Sequence, residues 1–382
     1  MTMITLLAGD TLSALGDIKQ RIQSLRSGRY TTVNKSVKVF EQTKTLPYYA
    51  IQNEGDFSVL FDPLPHLITL ISPIFELHQL TTEQLSRCGV FVGCAANDIS
   101  LMVPLGQGIK EGALPELEQQ RVGNGHYADV ISAYFGLSTF SLTCNTACTS
   151  SSNAVLEAAT MLESGIIDYA LVVGMEMFAP HSFEGFVSMQ LLAQETIKPF
   201  DTNRDGLLLG EALSAILMSR DDVCDSGWHF LGGASECETH SVTGVNSDGS
   251  GIKRVLSQAL LNSQVNAADI TAVKAHGTAS HLSDLAEVSG MKQVFNQMPS
   301  FFSLKPYIGH TLGSCGVSEL VLMMNSIDHG FIPATPNFSL QDNEIEWGPL
   351  TVAQECHEGV FLLNCFGFGG NNNALVIKKV SA

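Results

Sequence analysis

Cys148 lies between a predicted strand and a predicted helix, a position suited to a nucleophile. Residues 140–144 (FSLTC) have the apolar pattern of a buried strand, and residues 150–162 have the composition of a helix. The free N–H groups of a helix's first turn, together with the helix dipole, favour a thiolate at such a junction. Because the thiolate is the reactive form of cysteine, the spacing predicts a nucleophilic site. A small buried hydrophobic residue is the alternative that this stretch leaves open.

Two histidines in glycine-containing turns could assist such a nucleophile. His276 follows a predicted strand directly (KAHGTASHLSD), and His310 lies in a glycine-flanked turn before a helix (LKPYIGHTLGSCG). A single histidine is more often a structural residue. Two in such turns, together with a cysteine at a strand–helix junction, form a set from which acid–base chemistry can be built.

The glycine run 366–373 (FGFGGNNN) is a fourth element that could take part. Glycine lets the backbone approach a ligand closely and adopt positive φ. Backbone N–H groups in such a turn can stabilise an oxyanion, and a plain hairpin turn is the alternative.

The elements around these residues repeat in order along the chain. Uninterrupted apolar strands alternate with helices, a pattern typical of parallel sheets covered on both faces. We therefore predict two similar α/β halves that meet near residues 220–235. The predicted strands are 89–94, 140–144, 165–176 and 270–278, the predicted helices are 150–162, 281–295 and 314–330, and residues 359–380 read as strand, turn, strand.

Composition excludes several classes of function. The chain has 382 residues and a formal net charge of −18, which disfavours nucleic acid and anionic membranes as partners. No apolar run reaches the roughly 18 residues of a membrane span. The N-terminus lacks the basic region of a signal peptide, so we expect a cytoplasmic protein whose nine cysteines stay reduced. Cys144 and Cys148 have no second ligand pair nearby, so no metal site is expected.

Residues 19–29 (KQRIQSLRSGR) are the densest basic run in this acidic chain. They are interpreted as the solvated face of a helix, with a docking patch for an acidic partner as the alternative.

Taken together, the ordered motifs resemble the β-ketoacyl synthases of the thiolase superfamily. They are TACTSSS, KPFDTNRDGLLLGEA, HGT followed by Asp284 and Glu287, Lys305 with GHTLG, and NCFGFGGNN. The resemblance covers nearly the whole chain and implies an α/β fold, the thiolase-like five-layer αβαβα sandwich of two similar halves. The halves are predicted as residues 1–225, carrying the cysteine, and 226–382, carrying the two histidines.

The resemblance also implies roles for individual residues. Cys148 would accept the acyl group, and His276 and His310 would support decarboxylation of a malonyl unit and stabilise the enolate that forms. Lys305 and Glu319 match the structural ion pair of the family.

Further residues match the parts of the family's site that bind and gate the substrate. Thr278 and Ser280 match hydroxyls that hold a pantetheine arm. Phe368 and Gly369 match the gating turn, and the N–H groups of Phe368 and Cys148 would form the oxyanion hole.

The implied reaction is a decarboxylative Claisen condensation of an acyl thioester with malonyl-acyl carrier protein. No cofactor is implied beyond the phosphopantetheine arm of the carrier. The implied partners are the acyl carrier protein and a dimer mate, which is either a second copy or another ketosynthase-like subunit. Met189, Leu191 and Phe186 are expected to influence the depth of the acyl pocket.

Departures from the family pattern favour a specialised type II fatty-acid or polyketide pathway, such as aryl polyene synthesis. The HGTGT motif reads HGTAS here, GEGA reads GEAL, and Asn145 replaces an aspartate. Two other functions remain open. One is a non-condensing chain-length subunit, which the acidity favours and Cys148 disfavours. The other is a coenzyme A thiolase using Cys365 as a second thiol, which the serine run after Cys148 disfavours.

Overall fold

The computed structural model describes residues 3–39, 42–51, 62–96, 123–220 and 226–380. Its strands are β1 Ile4–Ser13, β2 Val33–Val39, β3 Gln42–Tyr48, β4 Cys88–Gly93, β5 Ser141–Cys144, β6 Tyr169–Glu176, β7 Ala212–Ser219, β8 Trp228–Cys237, β9 Ile270–Lys274, β10 Ser300–Phe302, β11 Phe331–Ile332, β12 Gln354–Glu355, β13 Gly359–Gly367 and β14 Asn371–Lys379. Its helices are α1 Ile18–Ser27, α2 Leu64–His78, α3 Thr82–Ser86, α4 His126–Phe135, α5 Ser150–Glu163, α6 Pro180–Ser188, α7 Ser250–Ser263, α8 His281–Lys292, α9 Lys305–Ile308 and α10 Cys315–Asp328.

Ten of these strands form one continuous hydrogen-bonded sheet, in the order β10-β9-β13-β14-β8-β1-β7-β6-β4-β5. Strands β8 and β1 share only two residue pairs, so we describe the strands on either side of this weak pairing as an N-terminal and a C-terminal sheet. Each sheet has five strands. When the five strands of a sheet are numbered in chain order, both sheets have the spatial order 3-2-4-5-1. In each, the third, second and fourth strands are parallel and the last two pairings are antiparallel. The predicted pair of similar halves is confirmed.

Helices complete five layers. Helices α5 and α10 lie between the two sheets, in a core that takes apolar residues from both sheets. Helices α2 and α4 cover the outer face of the N-terminal sheet, and α7 and α8 cover that of the C-terminal sheet. The central helices approach closely, since a Cβ at Gly316 would lie 2.3 Å from the backbone nitrogen of Ser152. The predicted αβαβα sandwich is confirmed.

The predicted elements that carry the sequence motifs are present, with small shifts at their ends. The helix expected just after Cys148 begins at Ser150, because residues 147–149 form a 3₁₀ turn first. The predicted boundary after residue 225 adjoins residues 221–225, which lie outside the described residues, and it stays a prediction. None of the helices in the described ranges has the length and apolarity needed to cross a lipid bilayer.

The basic run 19–29 is only partly a solvated helix face. Arg21 is buried, donates to the Thr11 carbonyl and to Asn325 Oδ1 at 2.6 Å, and pairs with Asp10 at 2.9 Å. Lys19 and Arg29 are exposed. The run therefore contributes to packing through Arg21, which weakens the case for a continuous basic docking patch.

Candidate active site

Cys148 lies in the 3₁₀ turn between β5 and α5, facing a pocket. Ser150 Oγ fixes this turn by accepting from the Thr146 N–H at 3.0 Å and donating to the Ala147 carbonyl at 2.6 Å. Ala147 adopts φ +53°, in the left-handed region that costs a residue with a Cβ about 1–2 kcal/mol. Strain of this kind is typical of sites where the surrounding structure dictates a side-chain direction. Here it directs the sulfur toward the C-terminal half.

Both histidines come from the C-terminal half, as predicted. His310 Nε2 lies 3.0 Å from Cys148 Sγ. The ring of His276 stands edge-on to that of His310, with centroids 5.3 Å apart. The turn after β9 is held by Glu287, which accepts from the N–H groups of His276 at 2.7 Å and Gly277 at 2.9 Å. The structure thus brings together the three predicted catalytic side chains.

The surroundings of Cys148 favour the protonated thiol, and not the thiolate that the sequence predicts. Burial raises the pKa of the Cys148 thiol to about 12, although the Lys305 ammonium and the Phe368 N–H act in the opposite direction. Because the helix begins two residues further on, its N-terminus does not outweigh burial. At neutral pH the group is a thiol with an imidazole nitrogen in hydrogen-bond contact.

Both imidazoles are neutral at physiological pH. Burial lowers the pKa of His276 and of His310 well below the usual range, and the nearby Lys305 ammonium lowers them further. A neutral imidazole can accept a proton through one nitrogen and donate a hydrogen bond through the other. His310 can therefore take the Cys148 proton when the sulfur attacks.

The predicted ion pair is part of a larger buried cluster. Lys305 Nζ contacts Glu319 Oε1 at 2.6 Å, and Lys274 Nζ contacts the other carboxylate oxygen, with all three side chains fully buried. Lys274 also donates to the Asn364 carbonyl at 2.6 Å and lies 3.9 Å from Cys365 Sγ. Sequence reasoning missed Lys274. The signal that could have found it is a lysine inside an apolar strand, two residues before His276.

The glycine turn contributes one of the two expected donors. The Phe368 N–H lowers the pKa of the Cys148 thiol as a nearby donor. A Cβ at Gly367 would lie 3.0 Å from the Cys148 nitrogen, so glycine at 367 leaves space in front of that N–H. Gly369 donates its N–H to the Val242 carbonyl at 2.7 Å, and Gly369 therefore does not serve as an oxyanion donor. The Phe368 ring stacks on Phe186 with centroids 5.6 Å apart.

One pocket joins the predicted catalytic and pantetheine-binding residues. Thr278 and Ser280 line it, as do two of the three residues expected to influence its depth, Phe186 and Leu191. The third, Met189, is 43% exposed and does not line this pocket. The other lining residues are Cys148, Leu207, Glu238, Thr243, Gly244, Val245, Ile252, His276, Ser283, His310, Phe366, Gly367, Phe368, Gly370 and Asn372.

The HGTAS departure has a visible structural consequence. Ala279 adopts φ +63°, so alanine holds a left-handed conformation at a position where glycine would be unstrained. The Asp284 carboxylate holds it there by accepting from the Ala279 N–H at 3.1 Å, and accepts from the Phe200 N–H at 2.7 Å. The turn that carries Thr278 and Ser280 therefore keeps its left-handed conformation although alanine replaces glycine at position 279 of the family motif.

Sequence reasoning also missed a buried carboxylate that binds backbone N–H groups after β4 and in the 3₁₀ turn of the C-terminal half. Glu176, at the end of β6, accepts from the N–H groups of Ala95 and Gly313 at 2.9 Å and of Ala96 at 2.8 Å. Among the described residues, no group of three or more histidine, cysteine or acidic side chains has a geometry that could hold a metal ion.

Both halves of the chain match models of one protein family. The model of the β-ketoacyl synthase N-terminal domain matches residues 73–223, and that of the C-terminal domain matches residues 229–339. The chloroplastic 3-oxoacyl-[acyl-carrier-protein] synthase I of Hordeum vulgare is 31% identical over 250 residues, which are 61% of this chain and 54% of that protein. The 3-oxoacyl-[acyl-carrier-protein] synthase 2 of Vibrio harveyi is 25% identical over 79% of this chain and 78% of that protein. The chain spans about half the length of the first curated relatives that it matches.

Solved structures with the same fold include two described as ketosynthase/chain length factor pairs. The ketosynthase ApeO in complex with its chain length factor ApeC from Xenorhabdus doucetiae has a TM-score of 0.84 at 22% identity, covering 99% of this chain and 98% of that chain. The ishigamide ketosynthase/chain length factor has a TM-score of 0.86 at 21% identity, with full coverage of both chains. At this identity the likeness establishes the thiolase-like fold. With both family models matched in order across the two halves, the chain belongs to the β-ketoacyl synthase family.

Proposed function

We propose that this protein is a condensing β-ketoacyl-acyl carrier protein synthase, in which Cys148 carries the growing acyl chain. The observation that supports it most directly is the 3.0 Å contact between Cys148 Sγ and His310 Nε2, in a pocket that His276 also lines. This arrangement pairs a nucleophile with a base and leaves a second imidazole free to contact substrate.

In the first half-reaction, the Cys148 sulfur attacks the acyl thioester of an acyl carrier protein as its proton moves to His310. The carbonyl oxygen gains negative charge at this step. The N–H groups of Cys148 and Phe368 supply hydrogen bonds to it, and the carrier's thiol leaves with a proton. Because the resting thiol is protonated, proton transfer accompanies the attack.

In the second half-reaction, malonyl-acyl carrier protein loses carbon dioxide and the remaining two-carbon unit becomes an enolate. His276 and His310 donate hydrogen bonds to its oxygen through neutral N–H groups. The enolate carbon then attacks the acyl-Cys148 carbonyl, a carbon–carbon bond forms, and the carbon–sulfur bond to Cys148 breaks. The sulfur leaves as a thiolate and takes up a proton from solvent, which restores the resting thiol. Lys305 helps to keep both imidazoles neutral.

The phosphopantetheine arm of the carrier is the substrate carrier in this proposal, and Thr278 and Ser280 are placed along the pocket to hold it. A dimer mate, either a second copy or a different ketosynthase-like subunit, would suit the edge strand β5, whose four residues are all only partly buried. The altered motifs favour a specialised fatty-acid or polyketide pathway, and the free thiols suit a reducing cytoplasm.

The two alternative functions are less well supported. A thiolase would need its second cysteine in the pocket, and Cys365 is buried outside the set of lining residues. A non-condensing subunit has no use for a cysteine in contact with a histidine.

The deciding experiment measures intact mass after incubation with a panel of acyl-acyl carrier proteins, followed by malonyl-acyl carrier protein. We expect one acyl adduct, at Cys148, and its conversion to an extended product. Cys148→Ala should retain the fold and show neither.

Two outcomes would contradict the proposal. If this chain forms a stable heterodimer and only its partner is acylated, it is the non-condensing subunit. If acetyl coenzyme A, but not malonyl-acyl carrier protein, serves as the second substrate, the protein is a thiolase.

A further inference from the structure

The buried cluster behind Cys148 holds two cations and one carboxylate in direct contact. Lys274 and Lys305 each contact one oxygen of Glu319, and the three side chains are fully buried. A buried charge without a partner costs several kcal/mol. One carboxylate neutralises one ammonium, so the second ammonium needs another anion.

A further buried carboxylate that interacts electrostatically with Lys274, Glu287, is engaged elsewhere. Its oxygens accept from the backbone N–H groups of His276 and Gly277 and from Asn364 Nδ2 at 2.9 Å. It acts on Lys274 through space and not through a hydrogen bond. Among the described residues, the remaining group that contacts the Lys274 ammonium and can carry a negative charge is the sulfur of Cys365, at 3.9 Å.

The surroundings of Cys365 favour the charged form. A hydrogen bond from Cys315 lowers the pKa of Cys365, and the Lys274 and Lys305 ammonium groups lower it further, against the opposing effects of burial and of the Glu319 carboxylate. The same hydrogen bond raises the pKa of Cys315. The Cys315 S–H also donates to the Cys148 carbonyl oxygen, 3.1 Å from the sulfur. Because Cys315 has one S–H proton, this carbonyl competes with Cys365 for it, and an anionic sulfur is the stronger of the two acceptors.

The N-terminal half carries an anion at the matching register position. Strands β4 and β9 are the matching second strands of the two sheets, and they end at Gly93 and Lys274. Gly93 is paired with Gly174, and Lys274 is paired with Leu363. Two residues beyond these partners lie Glu176 in one half and Cys365 in the other. Glu176 accepts from the Gly313 N–H, and Cys365 lies in the same apolar cluster as Cys148 and Cys315.

From this geometry we propose that Cys365 is a resident thiolate that neutralises Lys274 and acts as a positioning residue for Cys148. Its negative charge opposes ionisation of the Cys148 thiol, so Cys148 keeps its proton until His310 accepts it during attack on an acyl thioester. The last step rests on the proposed function, whereas the thiolate itself does not. The titratable groups that face Cys365 are Lys274, Lys305, Cys315, Glu319 and Cys148.

The first test detects the thiolate without any substrate. Protein labelled with ¹³C at the cysteine Cβ is titrated by NMR, and Cys365 is assigned by the signal lost in Cys365→Ser. We expect a thiolate at pH 8 in the unmodified protein. In Lys274→Met, which keeps the length of the side chain and removes its charge, we expect the same signal to titrate at least about one unit higher. A Cys365 signal that remains a thiol at pH 8, or that ignores Lys274→Met, overturns the proposal.

The second test measures the effect on Cys148. The rate of Cys148 alkylation by iodoacetamide is followed against pH by peptide mass. In Cys365→Ser the profile should move about one unit to lower pH, because an anion near Cys148 is gone. Cys88→Ser is the matched control, since Cys88 is also fully buried but lies in the outer core of the N-terminal half, and it should leave the profile unchanged.

An unchanged profile in a folded Cys365→Ser protein contradicts the positioning role. If that variant does not fold, the NMR titration of the unmodified protein and of Lys274→Met still decides the thiolate. A protein that shows the thiolate but does not condense malonyl-acyl carrier protein would refute the proposed function and leave this assignment standing.

Discussion

The two halves of the molecule contain the same turn and use it differently. In the N-terminal half the 3₁₀ turn Ala147–Thr149 precedes a helix of 14 residues, and in the C-terminal half Leu312–Ser314 precedes another helix of 14 residues. Each turn begins with a residue at positive φ, Ala147 at +53° and Leu312 at +43°. The middle residue is Cys148 in one turn and Gly313 in the other.

The groups in front of the two turns explain the difference in use. The N–H of Gly313 donates to the carboxylate of Glu176, so that position is already filled by an anion. The space in front of the Cys148 N–H is kept clear by Gly367 and opens into the pocket. The same backbone therefore holds an internal carboxylate in one half, and in the other it lies where the proposed mechanism puts a substrate oxygen.

The connections that lead into the turns differ as well. Residues 145–146 join β5 to its turn, whereas residues 303–311 join β10 to its turn and carry both Lys305 and His310. The longer connection brings a base to the sulfur of the opposite half. Asymmetric chemistry thus arises on a symmetric framework from one longer connection and one missing carboxylate.

Replacing the two histidines one at a time tests how the C-terminal half divides its work. His276→Ala and His310→Ala should each lower condensation by about 10²- to 10⁴-fold, since each removes a group that stabilises the enolate in the proposed mechanism. His310→Ala should also slow acylation of Cys148, because its ring is the one in contact with the sulfur. Acyl-enzyme formation by intact mass and carbon dioxide release from malonyl-acyl carrier protein measure the two steps separately. Equal effects of both variants on acylation would contradict this division.

Glu319→Gln tests the buried Lys274–Glu319–Lys305 cluster of the C-terminal half. It leaves Lys274 and Lys305 buried with one anion fewer, and we expect a loss of about 3–5 kcal/mol in the free energy of unfolding. Glu176→Gln, in the other half, removes the charge from an acceptor of backbone N–H groups and should cost about 1–3 kcal/mol. Urea denaturation measures both. A smaller loss in the free energy of unfolding for Glu319→Gln than for Glu176→Gln would contradict this ranking.

Gly313→Ala tests whether the second turn serves packing. The added Cβ would lie 2.5 Å from the Ala95 nitrogen and 2.6 Å from the Cys94 carbonyl carbon, so we expect a destabilisation of about 1–3 kcal/mol. Gly185→Ala is the control, because a Cβ there meets nothing within 4 Å in helix α6 and should be neutral or slightly stabilising. Thermal unfolding compares the two, and equal stability would show that the turn tolerates a side chain.

The smallest expected effect concerns backbone strain. Ala279→Gly should stabilise the fold by about 0.5 kcal/mol, since relief of a left-handed alanine is worth about 1–2 kcal/mol and the added freedom of the unfolded chain costs about 0.5–1 kcal/mol. Ala154→Gly, within helix α5, should instead destabilise by about 1 kcal/mol. Chemical denaturation of both variants gives the sign, and a destabilising Ala279→Gly would show that Asp284 already offsets the strain.

Local sequence patterns predicted most of the framework. Apolar runs of strand length and the helix after Cys148 were enough to place β4, β5, β6 and α5. For β4 and β6 the reason is burial on both faces, which leaves a continuous apolar run. Cys148, His276 and His310 were found because each follows a strand or precedes a helix, where sheets present functional groups. Lys274 and Glu176 were missed since each lies within an apolar strand and gains its role from partners far away in the chain.

The sequence by itself determined the α/β class and the two similar halves, and predicted three residues of the site, because periodicity and turn chemistry act over a few neighbouring residues. The tertiary structure decided that Cys148 rests as a thiol, that Gly369 is not an oxyanion donor, and that Lys274 joins Lys305 at Glu319. Each of these depends on burial or on a distance between distant parts of the chain. Desolvation and pairing of charges are properties of the packed interior, and they arise only when the two halves close around it.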